Sequence, residues 1–150
     1  MTDNISKSHA SAWSDEEFLR AFEDLSFPAE HFHHREHIRV AWLYLNSSDA
    51  TRAAERMAAG ILRFANHQGA TQKYHHTITL AWMRLVGAAL VETPENTTFE
   101  QFIAAHPELN DKDLLNRYYS KELLQTAAAR EGWVEADLQP LPALRVYRCC

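Results

Sequence analysis

The sequence predicts an all-α protein with a single domain, and three observations support this fold class. The chain has 150 residues, which is the size of one ordinary domain. Apolar residues recur at helical spacing along most of the chain. The composition includes only 4 glycines and 5 prolines, which is few for a β-rich fold with many tight turns. The expected architecture is a bundle of four main helices, followed by shorter helices and an irregular, proline-containing tail.

The first helix has a clear start. Ser14 can cap it, and Glu17 stands three residues later, as in a capping box. An apolar stripe follows, formed by Phe18, Phe22 and Leu25. Pro28 then marks a break or a new first turn.

The second and third helices are expected over residues 33–46 and 50–67. Ser48 or Asp49 can cap the third helix, and Gly69 is a plausible stop after it. The inner side of the second helix contains Ile38, Ala41, Trp42 and Leu45. The buried face of the third contains Ala53, Met57, Ile61 and Phe64.

Four further helices complete the predicted bundle. The fourth is expected to begin near Tyr74 and to end at about Val91. Three later helices each have a possible cap. One is capped by Thr98 and ends at Ala105, one by Asn110 and ends at Tyr119, and one by Ser120 and ends at about Arg130. We expect residues 133–150 to form an irregular tail and residues 1–13 to be flexible.

Charge and hydropathy limit the partners and the location. The net charge is −5 with neutral histidines, which disfavours nucleic-acid binding because that needs clustered Lys and Arg. The longest apolar run, Ile78 to Val91, contains Arg84, and no secretory signal is visible, so no membrane association is expected. The two cysteines, Cys149 and Cys150, are adjacent and cannot staple the fold. These features favour a reduced, cytoplasmic protein with a mobile thiol tail.

Histidine is the unusual component of this sequence. Six of the 9 histidines fall in two short segments, HFHHREH at residues 31–37 and YHHT at residues 74–77. His34 and His37 are three residues apart, so both project toward the core side of the second helix. His75 falls within the apolar stripe of the fourth helix. Because the third helix intervenes, the second and fourth can run parallel, which brings all three imidazoles to one end of the bundle.

Three neutral imidazoles are the ligand set of an open, catalytic divalent-metal site. We therefore expect His34, His37 and His75 to hold Zn²⁺ or Fe²⁺, with a further position left to water. Glu30 could act as a carboxylate ligand or general base if the second helix extends back to it. The side chains that could orient ligand rings or contact a substrate are His33, Tyr44, Tyr74 and Thr79.

Other interpretations of the same histidines stay open. The pocket could be metal-free, with histidine acting as acid, base or substrate contact. The rings could also be partly buried, hydrogen-bonded side chains without a functional role, or HFHHREH could be a solvated first turn.

The leading hypothesis is a small metal-dependent enzyme that acts on a small molecule by polarising a substrate oxygen or activating a bound water. The alternative is a non-enzymatic helical module that binds a ligand or a protein through pH-sensitive histidines. A leftover apolar helix face could form a homodimer.

Two segments, FHHREHIRVAW at residues 32–42 and KYHHTITLAW at residues 73–82, resemble a family of small bacterial helical proteins. Its members carry an F-x-H-x-x-H segment followed by a Y-H-x-T segment. The resemblance extends over most of the chain, and it selects the same three histidines, His34, His37 and His75. It implies no particular substrate.

Overall fold

The computed structural model describes residues 13–144 and confirms the all-α class, with no strand in this range. The seven α-helices of this range are α1 (Asp15–Glu23), α2 (His34–Ser47), α3 (Ala50–His67), α4 (His76–Val91), α5 (Phe99–Ala105), α6 (Lys121–Leu124) and α7 (Ala127–Glu131). Short 3₁₀ turns connect them, at Ala29–His31, Thr71–Lys73, Pro107–Asn110 and Lys112–Arg117. The predictions for Cys149, Cys150 and residues 1–12 lie outside the described range.

Local capping determines where these helices begin. The hydroxyl of Ser14 accepts from the Glu17 N–H at 3.0 Å, and the Glu17 carboxylate accepts from the Ser14 N–H at 3.1 Å, which confirms the predicted capping box. Asp49 caps α3, since its carboxylate accepts from Arg52 N–H at 2.8 Å. Gly69 ends that segment with a φ of 68°, a conformation that suits glycine.

Helix α4 begins at His76, close to the predicted start near Tyr74, with His75 as its N-cap. Two other predicted helices are wrong. Residues 112–117 form a 3₁₀ helix capped by Asp111 instead of an α-helix that begins at Asn110. The segment 120–130 is split into α6 and α7, since the Thr126 hydroxyl caps a new helix by accepting from Ala129 N–H at 3.1 Å.

The core lies between α2, α3 and α4, which pack against one another, while α1 covers α2 and α3. The predicted inner residues of α2 and α3 are all buried. A cluster of aromatic rings links α1 to α3, with centroids 4.7 to 5.8 Å apart, and it comprises Phe22, Phe32 and Phe64.

The described part of the tail, residues 133–144, is irregular, as predicted, and it is anchored to the helices. The Thr77 hydroxyl donates to Gly132 O at 2.6 Å and accepts from Val134 N–H at 3.1 Å. The Tyr119 hydroxyl donates to Val134 O at 2.7 Å. No helix within residues 13–144 has the length and apolar character needed to cross a membrane.

Candidate functional site

The N-terminal ends of α2 and α4 meet at a cavity of about 480 Å³, which we call the main cavity. All three histidines predicted to converge, His34, His37 and His75, line it. Its apolar wall is formed by Phe32, Met57, Ile61, Ile78, Trp82, Leu115 and Leu124. The other lining residues are polar or charged: His33, Lys73, Tyr74, Thr79, Lys112, Asp113 and Asn116.

His34 is the first residue of α2, and its ring lies edge-on to Trp82 with centroids 4.6 Å apart. Its Nε2–H donates to the backbone oxygen of Leu109 at 2.8 Å. Desolvation lowers the pKa of His34, and the bond to Leu109 opposes this effect. No residue of the described range bonds Nδ1, so the neutral ring offers that nitrogen as an acceptor.

His75 uses both ring nitrogens for structure. Nδ1 accepts from Ile78 N–H at 3.1 Å, which caps α4, and Nε2–H donates to the backbone oxygen of Leu124 at 2.7 Å. Desolvation lowers the pKa of His75, which favours the neutral form that this pair of bonds requires. The ring therefore connects the start of α4 to the end of α6.

His37 differs from the other two because its ring nitrogens have no hydrogen-bond partner among residues 13–144. The ring packs against Phe32, with centroids 4.6 Å apart. Desolvation, followed by the charge of His34, lowers the pKa of His37 to about 4. The imidazole is thus neutral at pH 7 and can offer one donor and one acceptor to a molecule in the cavity.

The predicted metal-ligand set does not fit this arrangement of the rings. Among residues 13–144, no group of three or more His, Cys, Asp or Glu side chains is placed to hold a metal ion. A ligand nitrogen needs a free lone pair, and both nitrogens of His75 are already bonded. Ligation by His75 would require its ring to leave Ile78 and Leu124. The metal centre stays a prediction.

The other predicted site residues divide between the cavity and its surroundings. His33, Tyr74 and Thr79 line the main cavity, and the Tyr74 hydroxyl bonds to Nδ1 of His76 at 2.8 Å. Glu30 is exposed and lies in the turn Ala29–His31, which is not continuous with α2. Glu30 was predicted as a ligand or general base only if the second helix extends back to it, and the helix does not extend that far.

Tyr44 lies on the far side of α2, away from the main cavity. Its hydroxyl donates to the Glu23 carboxylate at 2.6 Å, and the guanidinium of Arg56 lies 4.4 Å from its ring centroid. Burial and the bond to Glu23 account for its raised pKa. Tyr44 therefore links α2 to α1 and α3 and does not face the three histidines.

The cover of the cavity was not predicted. It comprises residues 109–124, which contribute Lys112, Asp113, Leu115, Asn116 and Leu124 to the lining. The cover is held by backbone oxygens that accept from His34 and His75. Every residue has such an oxygen, so the sequence carries no signal for these two bonds.

Comparison with known proteins gives no match: no family model fits the chain, and no curated protein or solved structure is significantly similar to it. The resemblance to a small bacterial helical family accordingly stays a prediction, based on the two histidine-containing segments.

Proposed function

We propose that this protein binds a small organic molecule in the main cavity and that His37 contacts the polar group of that molecule. The observation that carries the proposal is the ring of His37, which lines the cavity and has no hydrogen-bond partner within the described range. The ring is part-buried, and its nitrogens are not among the fully buried atoms without a partner, so they stay accessible from the cavity. A ligand in the cavity can therefore bond directly to the ring, and such a hydrogen bond contributes about 1 kcal/mol.

The size and the walls of the main cavity support this proposal. A volume of about 480 Å³ lies within the range of roughly 300–1,000 Å³ typical of small-molecule sites. Such sites combine an apolar wall with a few convergent polar groups. Here the side chains of Ile61, Ile78 and Trp82 form part of the apolar wall, and His34 adds an acceptor nitrogen beside His37.

The chemistry of His37 favours a binding contact over proton transfer. A general base works best when its pKa is near the working pH. A pKa of about 4 makes His37 a weak base at pH 7, although a neutral imidazole remains a good hydrogen-bond partner. The proposal is therefore ligand binding by a non-enzymatic helical module rather than metal-dependent catalysis.

A fragment library screened by NMR tests the proposal. His37→Phe keeps an aromatic ring against Phe32 and removes both nitrogens, so we expect hits in the main cavity to lose at least about fivefold in affinity. His67→Phe is the matched control, since His67 is an exposed residue near the end of α3 that does not line the cavity. Hits that bind both variants equally, or that map outside the cavity, would contradict the proposal.

Elemental analysis of protein purified without a histidine tag tests the metal hypothesis separately. Near one metal ion per chain, lost in His75→Ala while the variant stays folded by circular dichroism, would indicate that the His75 ring turns away from Leu124 to ligate. Metal that survives removal of each of the three histidines would exclude them as its ligands. The cytoplasmic location and the homodimer also stay predictions.

A further inference from the structure

A second cavity adjoins the main one. This side chamber has a volume of about 390 Å³. Five residues line both cavities and form a shared wall: Phe32, His37, Ile61, Lys73 and Tyr74. The other residues of the side chamber are Ala29, Phe64, Ala65, Gln68 and Ala70.

The lining of the side chamber combines an apolar interior with a single charge. Six of its residues are aliphatic or phenylalanine side chains, and Lys73 is the one charged residue among those that the structure describes around it. Lys73 is exposed and forms no ion pair with a residue of the range 13–144. His37, beside Lys73 in the shared wall, can donate a second hydrogen bond.

We infer that the side chamber takes the aliphatic tail of a monocarboxylate whose carboxylate binds Lys73 and His37 at the shared wall. The inference rests on the proposed function to the extent that both use His37. A carboxylate suits Lys73 because an ammonium group only donates hydrogen bonds. It does not suit Nδ1 of His34, which is an acceptor. Lys112 lines the main cavity but not the side chamber, so a carboxylate whose tail occupies the side chamber meets Lys73.

The lining of the side chamber predicts how the affinity depends on the tail and on the head group of the ligand. A methylene that is completely buried raises affinity about fourfold, and the half-exposed lining of the chamber makes the expected gain about twofold per methylene. The exposed position of Lys73 limits its contribution, so a carboxylate is expected to bind about two- to fivefold more tightly than an alcohol of the same chain length. An alkylammonium ion is expected to bind more weakly than either, because it meets the charge of Lys73.

Titration calorimetry on the full chain with butanoate, hexanoate and octanoate tests the tail, and 1-octanol and octylammonium test the head group. Ala65→Phe fills the side chamber from α3 and should weaken octanoate binding most, so that affinity rises less steeply with chain length than in the wild type. The matched control, Ala59→Phe, alters an exposed alanine of the same helix and should bind as the wild type does. Lys73→Met should abolish the preference for carboxylate over alcohol.

An affinity that is independent of chain length, or equal for octanoate, octanol and octylammonium, would overturn the inference. If Ala65→Phe does not fold, the methyl NMR signals of Ala65 and Ala70 in the wild type decide the location. Octanoate should shift these signals, and unshifted signals would overturn the inference. Fragments that still require His37 while no carboxylate binds would refute the inference and leave the proposed function intact. If neither fragments nor carboxylates bind, both the proposed function and this inference are refuted.

Discussion

Acidification is expected to destabilise the folded protein through His37. A histidine in an unfolded chain has a pKa of about 6.5, whereas the pKa of His37 in the folded protein is about 4. Between these values the unfolded chain binds the proton more readily, so the free energy of unfolding falls as the pH falls. This single group is expected to lower it by about 2 kcal/mol between pH 7 and pH 5, and by about 3 kcal/mol at pH 4. Above about pH 6.5 its stabilising effect is fully present.

Urea denaturation of the wild type and of His37→Phe at several pH values between 7 and 5 measures this effect. The variant lacks the titrating group, so the difference in unfolding free energy between the two proteins should change by about 2 kcal/mol over this range. His34 and His75, whose pKa values are also lowered, are present in both proteins and largely cancel in the comparison.

Ile38→Val is the control for this experiment. Ile38 is fully buried in α2 and does not titrate. The variant should therefore lose about 1 kcal/mol of unfolding free energy relative to the wild type, and this loss should be the same at every pH. A difference between wild type and His37→Phe that stays constant from pH 7 to pH 5 would refute the conclusion that His37 is held neutral by desolvation.

Three further predictions concern packing and capping. Gly60→Ala should lower the free energy of unfolding, measured in urea, by about 1–3 kcal/mol, because the new Cβ would lie 2.8 Å from Cε2 of the fully buried Phe22. A variant as stable as the wild type would show that α1 can move aside. His75→Ala should lower the free energy of unfolding by about 1–3 kcal/mol, because it removes the α4 cap and the bond to Leu124. His75→Asn should restore part of this stability, since asparagine can cap a helix. Equal stabilities of the Ala and Asn variants would argue against the cap. Thr77→Val should speed limited proteolysis of the tail, whereas an unchanged rate would mean that the Thr77 hydroxyl does not hold it.

The local parts of the fold could be predicted from the sequence because they depend on neighbouring residues. The capping residues Ser14 and Thr98 lie within four residues of the groups they bond, and the limits of α3 follow from its cap and its apolar periodicity. The start of α2 is also local. The Glu36 carboxylate accepts from His33 N–H at 2.8 Å, so the helix begins at His34 and leaves Glu30 outside.

The convergence of the histidines could be predicted in part. Helical spacing and the order of the helices were enough to bring His34, His37 and His75 to one cavity. The spacing could not show what each ring nitrogen bonds, since the partners Leu109 and Leu124 are distant in sequence and contribute only backbone oxygens. A helical wheel gives the direction of a side chain but does not identify the element that it meets.

Arg39 and Tyr44 illustrate the same limit. Arg39 is buried although arginine is usually exposed, because the chain at the start of α1 covers it and its guanidinium donates to Asp15 at 2.9 Å. Tyr44 was expected near the metal ligands, but Glu23 of α1 accepts its hydroxyl hydrogen. Both outcomes depend on where α1 packs, which the pattern within α2 does not contain.

A crystal structure of the tag-free protein with a fragment that binds in solution tests the central proposal most directly. The proposal predicts ligand density in the main cavity, with a polar ligand atom within about 3.2 Å of a ring nitrogen of His37 and with His75 still bonded to Leu124. Rings of His34, His37 and His75 turned together onto a metal ion, or a ligand bound away from all three, would contradict it.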